Sequence, residues 1–306
     1  MQIKVENISK EFDKKLPTYI KVLKDVSVEF NEGEAISIIG HTGSGKTTFI
    51  EHLNALLLPD TGKITFTNVS IPHKKWYESA KKIEIVETDI EIVNTKRKIK
   101  NIKSVRSEVG VVFQFAEYQL FEATIEKDII FGPVSMGTPV KKAKELAEKY
   151  IEMVGLPKSY LGRSPFNLSG GQKRRVALAG ILAMEPKFLI LDEPTAGLDP
   201  VGVEQMLQLF YDLHKKNNIT IIIVTHDLDN ALRWTNRCLM FKDGKIVKDD
   251  DTYNVLNDTQ LLIDNDLKPT QLLTFANRLR ERGVPIGKVT NLEQLSESIQ
   301  EYLRNK

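Results

Sequence analysis

Hydrophobic and polar residues alternate near the start of the chain, and short apolar runs follow. Ile3 and Val5, and then Val26, Val28 and Phe30, recur at every second position. This period of two predicts half-buried β-strands. The apolar runs are 34–40, 110–113, 188–191 and 220–224. Runs of this kind predict strands buried on both faces of a parallel sheet, so the pattern indicates an α/β fold.

Helical periodicity appears after the first apolar run and again in the second half of the chain. TTFIEHLNALL continues from residue 47, and a helix is predicted over 138–155 with Thr138 as its cap and Gly155 at its end. In the tail, QLLTFANRLRERG predicts an amphipathic helix closed by Gly283, and Thr290 with Glu293 predicts a capping box for the last helix. A small C-terminal helical domain, 251–306, is therefore expected.

Residues 66–106 have a different texture. KIEIVETDIEIV reads as two alternating runs around a polar turn, and TKRKIKNIKSVR follows as a basic stretch. We expect an antiparallel β arm and then a charged loop.

Composition narrows the class of protein. The chain has 306 residues and a net charge of +2, which gives no reason to expect a nucleic-acid partner. The single cysteine, Cys238, excludes an intrachain disulfide and fits a reducing compartment. The N-terminus lacks the apolar core of a signal peptide. No apolar run approaches the ~18–20 residues that cross a bilayer, so we expect that this chain forms no pore by itself.

GHTGSGKT at 40–47 fits the phosphate-loop pattern G-x-x-x-x-G-K-[ST]. Its glycines let backbone N–H groups surround phosphates, Lys46 reaches the β- and γ-phosphates, and the Thr47 hydroxyl ligates Mg²⁺. A chance glycine-rich turn is the alternative, and the strand before and helix after disfavour it. The predicted ATP-binding residues here are Gly40, His41, Thr42, Gly43, Ser44, Gly45, Lys46, Thr47 and Thr48.

FLILDEP places two carboxylates at the end of a predicted buried strand. Because ligands bind at the carboxyl ends of strands in open α/β sheets, we expect Asp192 to hold the metal through water. Glu193 is the predicted catalytic residue that orients or deprotonates the attacking water. The alternative, a surface turn before Pro194, fits poorly with so apolar a strand.

Two further polar residues follow buried strands. His226 in VTHD can hydrogen-bond the γ-phosphate, although a lone histidine is more often structural. Gln114 in GVVFQ also follows a predicted buried strand, and it can complete the coordination shell of Mg²⁺ or position the attacking water. Both are predicted catalytic residues because they would share one sheet edge with Glu193.

LSGGQ at 168–172 predicts a second anion site at the start of a helix. This helix leads into the strand that ends at Asp192. If it runs back toward the sheet, its N-terminus should lie far from the chain's own phosphate loop. Ser169, Gly170, Gly171 and Gln172 are therefore predicted to bind a nucleotide that another subunit holds, in a head-to-tail pair. An ordinary serine-capped helix is the alternative, and it accounts for Ser169 but not for two successive glycines.

Together these motifs resemble the nucleotide-binding subunits of ABC transporters, over about residues 1–250. The phosphate loop, Gln114, LSGGQ, LDEP, the AGLDP loop with Asp199, and His226 occur in that family's order. The resemblance implies a P-loop ABC-type domain with an antiparallel arm and a helical subdomain at about 115–185. It also implies that Asp199 contacts nucleotide and that Phe12, with Tyr19 as a second candidate, stacks on adenine.

Four segments carry a closer resemblance: GHTGSGKTT, EHLNALL, RRVALAGILAMEPKFLILDEPTAGLDP and DLKPTQLLTFANRL. They are similar to the ATPases of energy-coupling factor (ECF) transporters, and most to the second of the two ATPases in such a transporter. ECF transporters are bacterial importers of vitamins and metal ions. That resemblance implies ATP and Mg²⁺ as cofactors and a peripheral location on the cytoplasmic side of the cell membrane. Its implied partners are a second ATPase subunit, a transmembrane coupling subunit and a substrate-binding membrane subunit. Whether the second ATPase is a paralogue or another copy stays open. The segment 68–103 is longer than usual in that family, and Thr47 replaces the commoner serine.

FAEYQLF at 115–121 is unusually aromatic for a loop. It either packs under the helical subdomain or forms a groove for a short helix of the membrane subunit, as the transporter resemblance implies. Aromatic side chains with a polar tip suit such an interface.

Other ATPases with an LSGG motif fit less well. Chromosome-maintenance and repair ATPases insert a coiled coil between the phosphate loop and the LSGGQ segment, which is called the signature. This chain has no sustained heptads between the two. Excision-repair relatives need zinc-binding cysteines, which the single cysteine of this chain cannot supply. Ribosome-acting relatives carry two nucleotide-binding cassettes in one chain, whereas this chain has one. A regulatory module without turnover would lack the carboxylate that Glu193 supplies. An ATPase is the favoured function.

Overall fold

A computed structural model describes residues 1–74, 83–94 and 99–304 of the chain. Within these ranges the strands form a six-stranded sheet and a four-stranded sheet, with helices packed around them. The mixed α/β architecture confirms the predicted fold class.

The larger sheet has the strand order β10-β9-β3-β8-β7-β6. Its strands are β3 (Ala35–Ile39), β6 (Val109–Val112), β7 (Phe188–Asp192), β8 (Thr220–Val224), β9 (Arg237–Lys242) and β10 (Lys245–Asp251). All neighbours are parallel except β10, which runs antiparallel to β9. Every residue of β3, β6, β7 and β8 is buried, which confirms the strands that the apolar runs predicted. Their carboxyl ends meet at one edge.

The smaller sheet is antiparallel, with the order β2-β1-β4-β5. Its strands are β1 (Gln2–Phe12), β2 (Ile20–Asn31), β4 (Thr61–Lys74) and β5 (Ile83–Val93). The sequence predicted this antiparallel arm. The prediction of a polar turn within KIEIVETDIEIV was wrong, because β5 continues through it without a break. Glu87 and Thr88 pair with β4, and the register shift between Phe66 and Val69 absorbs the irregularity.

The predicted basic loop was also partly wrong. Residues 95–98 lie outside the described residues, but Ile102–Glu108 forms a helix, α2. Val105 is fully buried in the core that the two sheets share. This burial stabilises a helical turn that the charge pattern alone did not predict.

The helical subdomain contains α3 (Ile125–Ser135), α4 (Val140–Met153) and α5 (Gly170–Leu182). These helices share one hydrophobic cluster with β7, β8 and α6 (Pro200–Asn217), which ties the subdomain to the larger sheet. The Thr138 cap was wrong. Pro139 is extended, so α4 begins one residue later, and the Thr138 N–H bonds Pro133 at the end of α3.

The chain ends in α7 (Leu228–Trp234), α8 (Thr252–Asn257), α9 (Thr259–Asp264), α10 (Gln271–Glu281) and α11 (Leu292–Arg304). The C-terminal helices pack in one cluster with Ile39 and Met240 of the larger sheet. The capping box of Thr290 and Glu293 was wrong, because Asn291 accepts from the Gln294 N–H instead. Among the described helices, none is long and apolar enough to span a membrane.

Candidate nucleotide-binding and hydrolysis site

The phosphate loop joins β3 to α1 (Lys46–Leu53). Gly40, Gly43 and Gly45 have φ of 147°, 83° and 102°, a backbone region that favours glycine. A Cβ at Gly40 would lie 2.3 Å from the Phe241 carbonyl oxygen, so no side chain fits there. At Gly43, by contrast, no described atom lies within 4 Å of the Cβ position. The loop is thus tightly held at its base and open at its tip.

Lys46 folds back into this loop. Its Nζ donates to the carbonyl oxygens of Gly40 at 2.7 Å and His41 at 3.0 Å. Burial lowers the pKa of Lys46, although the nearby Glu193 and Asp192 carboxylates act to raise it. Ser44 is fully buried, and its Oγ has no hydrogen-bond partner among the described residues. The cradle therefore holds a cation and a spare hydroxyl, which suits a phosphate ligand.

Two carbonyl oxygens of the loop and of the first turn of α1 lie close to histidine rings. The His41 Nδ1 lies 2.8 Å from the Thr42 oxygen. The Thr48 carbonyl oxygen lies 2.7 Å from Nδ1 of the buried His52. His41, Thr42 and Thr48 thus lie in or directly after the phosphate loop, and their contact with nucleotide stays a prediction.

Thr47 and Asp192 meet although they are far apart in sequence. The Thr47 Oγ1 donates to the Asp192 Oδ2 at 3.0 Å. Asp192 ends β7 and is 6% exposed. Burial raises the pKa of Asp192, the bond from Thr47 opposes this, and the Glu193 charge adds to the rise. A buried carboxylate beside a hydroxyl is a donor set that fits Mg²⁺.

Glu193 and His226 form the second contact at this sheet edge. The Glu193 Oε2 lies 2.8 Å from the His226 Nδ1. The side chain of His226 is 78% exposed and that of Glu193 is 16% exposed. Glu193 has φ 47°, and its N–H donates to the Val224 carbonyl at 2.9 Å, which fixes the turn after β7 to the end of β8. An exposed imidazole thus contacts a mostly buried carboxylate.

Gln114 lies two residues beyond the end of β6 and is exposed. Because β6 pairs with β7, Gln114 shares the sheet edge of Asp192 and Glu193. The next residue, Phe115, has φ 59° and starts a short 3-10 helix, Ala116–Gln119. The structure therefore gathers the ends of β6, β7 and β8 beside the phosphate loop.

The signature segment caps helix α5. Ser169 Oγ accepts from the Gln172 N–H at 3.3 Å, and the Gln172 side chain accepts from the Ser169 N–H at 3.1 Å. This capping box accounts for Ser169 and Gln172 within the chain. A Cβ at Gly170 or Gly171 would meet no described atom within 4 Å. The folded chain therefore does not require either glycine.

Comparison with known proteins decides the family. The ABC transporter family matches residues 23–196. The energy-coupling factor transporter ATP-binding protein EcfA2 of Mycoplasma mobile is 54% identical over 306 residues, which cover 100% of this chain and 98% of the relative. EcfA2 of Enterococcus faecalis is 39% identical, with 98% of each chain covered.

This chain belongs to the ECF transporter ATP-binding proteins.

Solved structures of ABC cassettes have the same fold as this ECF ATP-binding protein. CbiO1 of Clostridium perfringens, part of the ABC transporter complex cbiONQ, has a TM-score of 0.67 and 29% identity, covering 90% of this chain and 98% of that one. The ATP-binding cassette MJ0796, a dimer bound to ADP and Pi, has a TM-score of 0.65 and 27% identity, covering 82% and 98%. The chain is accordingly an ATPase and an ATP-driven energy-coupling subunit.

The remaining predicted nucleotide contacts are Asp199, Phe12 and Tyr19. Asp199 caps α6 by accepting from the Gly202 N–H at 2.6 Å. Phe12 ends β1 and is 36% exposed, and Tyr19 is 50% exposed. The Lys10 Nζ lies 5.6 Å from the centroid of the Phe12 ring. Both rings are accessible to an adenine, so the choice between them stays a prediction.

Sequence reasoning missed Arg174, which is 6% exposed within α5. It bonds to Glu117 and to the loop after Glu193. A usable signal was its helical spacing from the apolar Leu178, which is 1% exposed, since residues four apart share a helix face. The neighbouring basic residues of KRR masked this pattern.

Proposed function

We propose that this ATPase powers import of vitamins or other micronutrients through membrane partners, from the cytoplasmic side of the cell membrane. The observation that supports the chemistry best is the Thr47–Asp192 contact beside Lys46, next to the paired Glu193 and His226. The residues proposed to hold phosphate, to ligate the metal and to act as the base are thus neighbours.

ATP binding begins with the phosphate loop. Lys46 now bonds to two loop carbonyls, and incoming β- and γ-phosphates offer its ammonium stronger charged acceptors. The backbone N–H groups of the glycine loop and the spare Ser44 hydroxyl supply further donors. Phe12 or Tyr19, both exposed, is the proposed ring that stacks on adenine.

Mg²⁺ fits the pair formed by Thr47 and Asp192, with Gln114 as a further ligand. Burial disfavours the Asp192 charge, and a neighbouring divalent cation would offset that effect. When bound, the ion neutralises charge on the β- and γ-phosphates. Thr47 would hold the ion with its hydroxyl and Asp192 with its carboxylate, through water.

Glu193 is the proposed base that orients or deprotonates the attacking water. When Glu193 is ionised, the His226 Nδ1–H donates to its Oε2 and holds the carboxylate in place. The exposed His226 ring is also the proposed hydrogen-bond partner of the γ-phosphate.

The signature segment is proposed to serve the nucleotide of a second ATPase subunit, a paralogue in a head-to-tail pair. Gly170 and Gly171 leave open space above the N-terminus of α5, where an anion is favoured. MJ0796 was solved as a dimer of such cassettes, which supports this arrangement. Asp199 would lie in the same interface.

The C-terminal segment, 251–306, is the proposed second contact between the ATPases. Leu292 and Leu303 on α11 are 74% and 64% exposed, and Phe275 on α10 is 51% exposed. Large apolar side chains in such positions suit a protein interface.

The aromatic loop after Gln114 is the proposed groove for the transmembrane coupling subunit. Ala116 and Leu120 of this loop pack in the hydrophobic cluster of the helical subdomain, whereas Tyr118 is 84% exposed and Phe121 is 58% exposed, which leaves aromatic surface for a partner. Phe121 meets Phe131 of α3 edge to face, with ring centroids 5.0 Å apart. A substrate-binding membrane subunit would complete the transporter.

The decisive test of the chemistry is Glu193→Gln, which keeps size but removes the base. We expect ATP binding to persist and turnover to fall by about 10²–10⁴-fold, the usual contribution of a general base. ATP hydrolysis, calorimetric ATP binding and ATP-driven uptake in vesicles measure this. Glu204→Gln is the control, because it makes the same change in an exposed carboxylate that bonds only to Arg233 among the described contacts. Near-normal hydrolysis by Glu193→Gln would assign the base elsewhere.

A further inference from the structure

The guanidinium of Arg174 joins three segments of the chain. Arg174 is a residue of α5, the helix that begins at the signature. Its Nε and Nη2 donate to the two carboxylate oxygens of Glu117, at 3.0 and 2.8 Å. Its Nη1 donates to the carbonyl oxygens of Ala196 at 2.7 Å and Pro194 at 3.3 Å. One side chain therefore bonds the segment after Gln114 and the turn after Glu193.

The contact with Glu117 is geometrically specific. Two parallel N–H groups face two carboxylate oxygens, the arrangement in which arginine fixes both distance and orientation. Burial disfavours the Glu117 charge, yet the bond from Arg174 holds the pKa of Glu117 below its ordinary value. The side chains are only 8% and 14% exposed, so water screens this ion pair weakly.

On one side, the pair holds the segment that carries Gln114. Glu117 lies in the 3-10 helix that starts immediately after Phe115. Phe115 is a non-glycine residue with φ 59°, a conformation that persists only where surrounding contacts enforce it. Arg174 supplies such a contact two residues further along.

On the other side, Arg174 holds the turn that carries Glu193. The Ala196 N–H donates to the Glu193 carbonyl at 3.1 Å, which closes the turn. Glu193 is also a non-glycine residue with positive φ, at 47°. Arg174 bonds the Pro194 and Ala196 carbonyls of this turn, and Arg174 and Glu193 line the same narrow cleft.

We propose that Arg174 is a positioning residue for ATP hydrolysis, because it fixes the Gln114 segment and the Glu193 turn to the signature helix. A movement of the helical subdomain then reaches the carboxylate that activates water. This inference rests on the proposed role of Glu193.

The adjacent Arg175 provides a matched comparison. Its Nη1 donates to the Val154 carbonyl at 2.7 Å and its Nη2 to the Gln205 side chain at 2.8 Å. These bonds join α5 to the end of α4 and to α6, and they do not include the Gln114 or Glu193 segments. The same substitution at the two positions therefore separates positioning of the site from support of the helices.

The test compares Arg174→Lys with Arg175→Lys in the full chain purified with its partner subunits. A lysine keeps the charge but cannot present a planar fork to both the carboxylate and the carbonyls. We expect Arg174→Lys to lower kcat by about ten- to a hundredfold with KM for ATP nearly unchanged, as small misplacements of catalytic groups do. Glu117→Gln should cause a smaller loss, and Arg175→Lys should leave kcat within about twofold of the parent by the same reasoning.

Hydrogen exchange supplies a readout that does not depend on the base. Arg174→Lys should speed amide exchange in both 114–119 and 193–199, whereas Arg175→Lys should affect 153–156 and 205–209. Equal kcat in the two variants, or exchange confined to α5, would overturn the inference. If Glu193→Gln hydrolyses ATP normally while the exchange pattern is as expected, the proposed base fails and the Arg174 link stands.

Discussion

The two glycine-rich segments of this ATPase, the phosphate loop and the signature, differ in whether the fold of the chain requires their glycines. In the phosphate loop, Gly40 and Gly45 have positive φ, and a Cβ at Gly40 would collide with the Phe241 carbonyl at 2.3 Å. In the signature, Gly170 and Gly171 lie within a helix, and their Cβ positions are open, with no described atom inside 4 Å. The first pair is needed by the fold, whereas no contact within the described chain requires the second.

The two segments also differ in which neighbouring groups the chain itself supplies. The phosphate loop has its lysine, its hydroxyl and its carboxylates in place within one chain. The signature has a satisfied cap, an anion-favouring helix terminus and empty space. We interpret the signature as half of a site that a second ATPase completes.

The largest expected effect follows from Gly40→Ala. Overpacking against Phe241 and a strained φ should together destabilise the protein by about 3 kcal/mol, from the usual 1–3 kcal/mol of overpacking and 1–2 kcal/mol of strain. Thermal unfolding measures this. Gly137→Ala is the control, because Gly137 also has positive φ, at 102°, but has open space around its Cβ position among the described residues. A Gly40→Ala protein as stable as Gly137→Ala would refute the close approach.

The smallest effect on stability is expected for Gly171→Ala. An alanine in open space within a helix should leave stability unchanged or raise it by about 0.4–1 kcal/mol, while ATP turnover by the assembled ATPases should fall because the added methyl group crowds the partner's phosphate. Gly180→Ala, further along α5 with its nearest described atom at 3.7 Å, is the control for helix stability. If both variants turn over ATP equally, the signature glycines do not face a nucleotide.

The sequence predicted the elements whose signals are local. The phosphate loop, the four buried parallel strands and the signature helix all appear where the patterns placed them. Strand, loop and helix follow one another within a few residues there, so neighbouring residues determine the structure.

The elements that were missed depend on distant partners. The polar stretch of β5 is a strand because β4 pairs with it, and α2 forms where Val105 meets the shared core. The Arg174–Glu117 contact joins residues 57 positions apart, and no spacing rule connects them. Pairing across the fold, rather than local propensity, decided these features.

The most direct test of the shared site is Ser169→Arg, because a bulky side chain there blocks the partner's phosphate without touching the chain's own Lys46. Loss of the α5 cap should cost about 1 kcal/mol. Thr124→Arg, which removes the cap of α3, is the matched control. ATP binding to the isolated chain and ATP hydrolysis by the assembled pair should be measured together. We predict unchanged binding with hydrolysis abolished, and an equal loss of both would show that the signature acts within its own chain.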